Sequence, residues 1–295
     1  MNILDRLALW EARYVKKPVL WAVRNGPLLR PLFAASVRAT ARVPRKVAVT
    51  NEVLGGVPGR RIWPGGTSEG VLLYLHGGGF VIGGSVSHLP LAARLAQASG
   101  LTVWLPDYRL APEHPFPAAP EDCFTAYRAL VETTAPSRIA VAGDSAGGCL
   151  ALALLHQCAG SGVSMPGAIA LLSAVGDLTL EAQHKIMGGP PDALLSKAWA
   201  SWAIDGYMGG ADRSDPRASP LQTPFTDPPP TILHYAQGEG LAPQNEAIAE
   251  ALRAGGASVE VEAFPGTFHA FQTGGLPLAG RSIMRIGAYL AGRVR

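Results

Sequence analysis

One serine of the chain stands between two glycines in a pattern that is typical of nucleophilic catalysis. Residues 143–147 read Gly-Asp-Ser-Ala-Gly, with Ser145 at the centre. In this G-x-S-x-G pattern the serine occupies a sharp turn between a strand and a helix, and its hydroxyl projects from the sheet. An apolar run over 138–142 precedes it and another over 149–157 follows, which predicts the required strand and helix. A hydroxyl displayed in this way can attack a carbonyl carbon.

A glycine-rich loop supplies the groups that such an attack would need next. An apolar run over 71–75, which predicts a buried strand, is followed by His-Gly-Gly-Gly-Phe over 76–80. Glycines there let the backbone approach a ligand closely and direct N–H groups inward. We expect Gly78 and Gly79, together with Ala146, the residue after Ser145, to form an oxyanion hole.

A serine hydroxyl is a weak nucleophile until a base removes its proton, and His269 is the histidine predicted to do so. The elbow motif is associated with the chain order Ser, acid, His, and three histidines precede the serine. Three others lie in predicted helix, insertion or strand segments; the six are His76, His88, His114, His156, His184 and His234. His269 follows the predicted strand 259–263 in a loop, from which its side chain can reach the strand ends.

Composition restricts the class of protein. The 295 residues are 48% hydrophobic and 16% charged, so the chain can bury a large core and is not disordered. The three cysteines have no metal-ligand spacing and leave one unpaired in any disulfide scheme, which favours a reducing compartment. Charged residues interrupt the N-terminus before a signal-peptide core could form, so we expect a cytoplasmic protein. No H-E-x-x-H pattern or Cys/His cluster occurs, and neither a metal nor a cofactor is implied.

The N-terminal segment is unusually basic. Residues 1–46 carry ten Lys or Arg and two acidic residues, although the whole chain has a net charge of only +3. A helix with Leu4, Leu7, Trp10 and Tyr14 is predicted there. We expect it to pack its apolar side on the protein itself, with contact to an anionic membrane as the alternative. Nucleic-acid binding is not expected.

Three longer motifs show a specific resemblance. The sequences HGGGF over 76–80, DYRLAPEHPFPAA over 107–119 and GDSAGG over 143–148 resemble the bacterial hormone-sensitive-lipase-like esterases of the α/β-hydrolase superfamily. The likeness covers nearly everything after residue 45. It implies a single α/β-hydrolase domain over 1–295, with a mostly parallel sheet, helices on both faces, and a helical cap formed by 1–45 and about 177–215.

The acid that orients the histidine departs from the pattern of this family. Similar enzymes carry Asp-Pro-Leu, or a close variant, after the strand that precedes the histidine unit, whereas this chain has Gly-Glu-Gly-Leu over 238–241. No aspartate follows Asp227. Glu239 fits by position, and glutamate serves this role in other α/β-hydrolases. Glu246, on the following helix, is the alternative.

The resemblance implies hydrolysis of short- to medium-chain carboxylic esters through an acyl-enzyme, with a small-molecule ester as the partner. Two alternatives remain at this stage. The same machinery could cleave an aryl formamide, a lactone or a natural-product ester. The departure at the acid position also leaves open a non-catalytic small-molecule receptor. The sequence does not determine the oligomeric state, and a homodimer is left open.

Overall fold

The computed structural model describes residues 3–66, 70–188 and 192–294, and an eight-stranded sheet forms its centre. The strand order is β1-β2-β4-β3-β5-β6-β7-β8, and β3 to β8 are parallel to one another while β2 pairs antiparallel with both neighbours. The strands are β1 Ala48–Leu54, β2 Val57–Trp63, β3 Val71–Leu75, β4 Thr102–Pro106, β5 Ile139–Asp144, β6 Ala168–Leu172, β7 Thr231–Ala236 and β8 Val259–Phe264.

Ten α-helices accompany these strands in the part of the chain described. They are α1 Ile3–Glu11, α2 Lys17–Ala22, α3 Gly26–Thr40, α4 Ser85–Ser99, α5 Ala118–Val131, α6 Ala146–Ser161, α7 Leu180–Gly188, α8 Lys197–Met208, α9 Ala242–Ala254 and α10 Pro277–Arg293. A π-helical segment, Ala12–Lys16, joins α1 to α2. Within the described ranges, no helix has both the length and the apolar character needed to cross a membrane.

The sheet is buried on both faces, which explains the continuous apolar runs of its parallel strands. Leu73 and Leu75 pack with α5 and α6 on one face, whereas Leu72 and Tyr74 pack with α4 and α10 on the other. The expected α/β-hydrolase architecture, with helices on both faces of a mostly parallel sheet, is therefore confirmed.

Element boundaries differ from the sequence predictions mainly at helix starts. The structure has strand β3 at the residues predicted, but α6 begins at Ala146 rather than at residue 149. The apolar pattern missed the first turn of α6 because small residues there, Gly147 and Gly148, carry no hydrophobic signal.

The predicted packing of the N-terminal helix is wrong in one respect. Leu7 and Trp10 are each 58% exposed, whereas Ala12 and Asp5 are buried. Ala8 and Leu9 of α1, with Ala12 directly after the helix, meet a cluster of buried side chains of the C-terminal half: Phe264, Phe268, Phe271, Leu278 and Ala279. Four large apolar side chains of α1, those of Ile3, Leu4, Leu7 and Trp10, face solvent.

Candidate active site

Ser145 lies in the turn between β5 and α6 with a strained backbone. Its φ of 53° and ψ of −119° are rarely adopted by a residue other than glycine. The turn depends on two glycines, because a Cβ at Gly147 would collide with the carbonyl of Leu75, and one at Gly143 would collide with Gly147. These contacts explain the flanking glycines of the motif.

The loops after β7 and β8 bring an acid and a base to this serine. His269 follows β8, and its Nε2 lies 2.8 Å from Ser145 Oγ. Glu239 follows β7, and its Oε2 lies 3.0 Å from His269 Nδ1. Because β5, β7 and β8 are parallel, their carboxyl ends meet at one edge of the sheet. The structure therefore joins the three side chains in one hydrogen-bonded series.

Glu239 is buried and well supported, whereas Glu246 lies elsewhere. Asn245 Nδ2 donates a hydrogen bond of 3.4 Å to Glu239 Oε1, and the Ser173 hydroxyl helps to lower the pKa of this carboxylate. Glu246 instead accepts a hydrogen bond of 3.2 Å from the Tyr235 hydroxyl. The Glu239 carboxylate therefore occupies the acid position. The receptor alternative depended on a missing acid, so that reason for it no longer applies.

Electrostatics distinguishes His269 from other buried histidines. Burial opposes its protonation, but the Glu239 carboxylate, with a smaller effect from Asp192, raises the pKa of His269 above its ordinary value. Burial lowers the pKa of His76 to about 4 and that of His234 to about 3. Burial also raises the pKa of Glu239, against the opposing effect of its hydrogen bonds. His269 is thus a base whose proton affinity depends on its partner.

The glycine loop is held against the elbow by Asp144. The Asp144 Oδ1 accepts hydrogen bonds from the Gly77 N–H at 2.9 Å and from the Tyr74 hydroxyl at 2.7 Å. Although burial alone would raise the pKa of Asp144, the neighbouring His88 and these hydrogen bonds hold it below its ordinary value. An ionised carboxylate therefore fixes the loop in front of the serine.

The residues proposed for the oxyanion hole lie together around Ser145. Gly78 and Gly79 have φ values of 123° and 60°, which favour glycine, and Gly79 and Ala146 line one cavity with the serine. As the first residue of α6, Ala146 has no intrahelical acceptor for its N–H. A side chain at Gly79 would meet the Trp199 ring, so the loop approaches α8 closely.

Asp192 is a site residue that sequence reasoning missed. Its Oδ1 accepts hydrogen bonds from the N–H groups of Leu194 and Leu195, and its Oδ2 accepts one from Gly240 N–H. The Lys17 ammonium also donates to its backbone carbonyl. The local sequence indicates only an aspartate that begins a turn, and nothing in it reveals the distant contact to Gly240.

Two cavities meet at Ser145. The smaller has a volume of about 70 Å³ and is lined by Gly79, Ala146 and apolar side chains that include Leu178 and Trp199. The larger has a volume of about 450 Å³ and is lined by residues of α2, α3 and the loop that carries His269. His269 lines the larger cavity and is not among the residues that line the smaller one.

This fold, with a serine, a histidine and a carboxylate at the ends of its parallel strands, defines a class of hydrolases. The family model described as the alpha/beta hydrolase fold matches residues 72–273, and the chain belongs to that family, in its bacterial hormone-sensitive-lipase branch. A crystal structure of an esterase from the bacterial hormone-sensitive lipase family superposes with a TM-score of 0.90 at 30% identity, covering 100% of both chains. A hormone-sensitive-lipase homologue from a metagenome library gives 0.88 at 34% identity, covering 100% of this chain and 99% of that one.

Similar proteins with named activities indicate the class of reaction. The chain is 34% identical over 278 residues to an acetyl-hydrolase of Streptomyces hygroscopicus, covering 92% of each protein. It is 33% identical over 315 residues to a carboxylesterase/phospholipase of Mycobacterium tuberculosis, covering 98% of this chain and 82% of the relative. The protein hydrolyses carboxylic esters.

Proposed function

We propose that ester hydrolysis proceeds through an acyl-enzyme on Ser145. His269 Nε2 accepts the hydroxyl proton as Oγ attacks the ester carbonyl, and the same proton passes to the departing alcohol. Glu239 holds the imidazolium that forms in between. The observation that carries this proposal is the hydrogen-bonded series from Ser145 through His269 to Glu239, at 2.8 and 3.0 Å.

The negative charge of the tetrahedral intermediate requires its own donors. Backbone N–H groups of Gly78, Gly79 and Ala146 serve this purpose in the proposed mechanism. They belong to rigid elements, since Asp144 holds the neighbouring Gly77 and Ala146 begins a long buried helix. Donors fixed in advance need no reorganisation during the reaction, which is why they stabilise the transition state strongly.

The position of His269 supports a separate cavity for each half of the ester. The alcohol oxygen must receive its proton from His269 Nε2, so the alcohol lies on the side of the histidine. His269 lines the cavity of about 450 Å³. The acyl group then extends into the cavity of about 70 Å³ beside Gly79 and Ala146.

This assignment favours esters with a short acyl group and tolerates a large apolar alcohol. Each acyl methylene contributes at most about 0.8 kcal/mol while it contacts apolar wall, and none once the small cavity is filled. The larger cavity is lined by apolar residues of α2 and α3 that include Val19, Leu29 and Phe33. Apolar walls of this extent suit a bulky or extended alcohol.

Two ester series test the proposal. The first varies the acyl chain of p-nitrophenyl esters from acetate to palmitate, and the second varies the alcohol of acetate esters over the same range. We expect kcat/KM to begin to decrease at a shorter chain length in the acyl series than in the alcohol series. The reverse order would refute the assignment of the cavities.

A matched pair of variants links each series to its cavity. Ala200 lines only the smaller cavity of the two and Ser36 only the larger. Ala200→Phe should narrow the acyl range towards acetate without changing the order of the alcohols, and Ser36→Phe should do the opposite. If both variants affect the two series equally, the cavities do not separate the halves of the substrate.

A further inference from the structure

The surface of the N-terminal helices is apolar to an extent that single exposed residues do not explain. Seventeen large hydrophobic side chains are exposed among the described residues, and nine of them belong to residues 3–32. These nine form what we call the N-terminal apolar face: Ile3, Leu4, Leu7, Trp10, Tyr14, Val15, Val19, Leu28 and Leu32. Exposed apolar side chains that are concentrated in one segment mark an interaction site more often than scattered exposure does.

The arrangement of α1 leaves this face exposed. The helix packs on the protein through Ala8 and Leu9, with Ala12 directly after it, and it buries Asp5, while Leu7 and Trp10 project outward. An ordinary surface helix places its large apolar residues inward. The inverted arrangement leaves the apolar side of α1 available to an external partner.

The charges around the face are positive. Arg6 and Arg13 are exposed beside Leu7, Trp10 and Tyr14. The two acidic residues of the segment do not offset them, because Asp5 is buried and Glu11 lies 3.5 Å from Lys16. A cationic, apolar surface is complementary to an anionic lipid layer. Trp10 and Tyr14, whose ring centroids lie 5.7 Å apart, are residue types enriched at membrane interfaces.

The face also adjoins the larger cavity. Val15, Val19 and Leu32 are exposed and at the same time line this cavity, in which Ser145 and His269 lie. A surface that contacted the face would therefore lie directly over the route to the serine.

We propose that the N-terminal apolar face docks on an anionic lipid surface, so that apolar esters pass from the lipid into the larger cavity. The part concerning substrate entry rests on the proposed function, whereas docking itself does not. A second copy of the chain fits the face poorly, because a symmetric contact would bring Arg6 and Arg13 of both copies together.

Vesicle flotation tests docking without any substrate. The probes are vesicles of phosphatidylcholine alone and of phosphatidylcholine mixed with phosphatidylglycerol. We expect the full chain to float with the mixed vesicles, with an affinity that decreases as salt increases. Leu7→Asp should weaken this binding at least about tenfold, and Arg6→Gln and Arg13→Gln roughly fivefold each.

Met284→Asp is the matched control, because Met284 is 61% exposed on α10, outside the face. This variant should bind vesicles as the unmodified protein does. Leu7 and Arg6 line neither cavity at Ser145, so their variants should hydrolyse p-nitrophenyl acetate normally in vesicle-free buffer, which verifies their fold.

Two results would overturn the proposal. The first is failure of the unmodified protein to bind the mixed vesicles, and the second is equal binding by Leu7→Asp. If the protein does not bind vesicles and sedimentation equilibrium detects a dimer in the unmodified protein but not in Leu7→Asp, the face belongs to a contact with a second copy. Ser145→Ala should lose ester hydrolysis but float with the vesicles normally. Failure of docking and failure of the proposed mechanism can therefore be told apart.

Discussion

The carboxylate of Asp192 accepts a hydrogen bond of 3.0 Å from the backbone N–H of Gly240, the residue that follows Glu239. Asp192 belongs to the segment that precedes α8, whereas Gly240 belongs to the loop after β7. The Lys17 ammonium adds a link from α2 to the Asp192 carbonyl. The loop of the proposed acid is therefore held by segments that line the cavities at Ser145.

Asp192→Asn should reduce turnover and alter its pH dependence. The amide retains one carbonyl oxygen but loses the second acceptor and the negative charge, which contributes to the raised pKa of His269. We expect kcat to decrease between about tenfold and a hundredfold, because small misplacements of catalytic groups cause losses of this size. We also expect the acidic limb of the kcat/KM profile to move to lower pH. Rate measurements across the pH range check both effects.

Asp177→Asn is the matched control for this change. Asp177 also lines the smaller cavity, but its Oδ1 accepts from Thr179 N–H rather than from the loop of Glu239. The control should keep the pH profile of the unmodified protein. An unchanged profile in Asp192→Asn as well would show that Asp192 has no positioning role.

Ser145→Ala should abolish ester turnover while the fold remains. The substitution removes only the Oγ, which contacts His269, and the elbow glycines are untouched. The expected loss in kcat is on the order of 10⁶-fold, as for other serine nucleophiles. Ester assays and circular dichroism on the purified variant check it, and activity within tenfold of the unmodified protein would exclude this nucleophile.

Glu239→Gln and Glu246→Gln should separate the two candidate acids. Glu239 contacts His269, whereas Glu246 contacts Tyr235. Removing the charge at Glu239 leaves the imidazolium without its partner, so kcat should decrease on the order of 10³- to 10⁴-fold. Glu246→Gln should have little effect. Steady-state kinetics of both variants measure these effects. A larger loss of kcat in Glu246→Gln than in Glu239→Gln would contradict the assignment of Glu239.

The pH profile of kcat/KM should report the titration of His269. The base must be neutral to accept the serine proton, so the rate increases as pH rises through its raised pKa and reaches a plateau above it. Glu239→Gln removes the charge that raises this pKa. The residual activity of that variant should therefore have its acidic limb at lower pH. A limb at higher pH would mean that Glu239 does not favour the charged imidazole.

The sequence predicts those features that depend on local sterics and on residue period. The elbow at Ser145 is predictable because its sharp turn leaves no room for a Cβ at Gly143 or Gly147, so the glycines mark the turn in the sequence. Strand β3 is predictable because it lies in the buried interior of the sheet and reads as a continuous apolar run. The first turn of α6 is less predictable, since its small residues have no period.

Which distant groups meet is decided by the tertiary structure. Glu239 and Glu246 are close in sequence, and only the parallel register of β7 and β8 brings the former to His269. The same holds for Asp192, whose contact to Gly240 joins residues 48 apart in the chain.

By itself, the sequence determined the nucleophile motif, the glycine loop and the type of fold, because these follow from backbone sterics and from apolar periodicity over short windows. The tertiary structure alone decided which carboxylate faces His269, where Asp192 binds, how the space at Ser145 divides, and that Leu7 and Trp10 face solvent. Each of these features depends on the packing of segments that are far apart in the chain. An amphipathic pattern alone does not determine which side of a helix is covered by its neighbours.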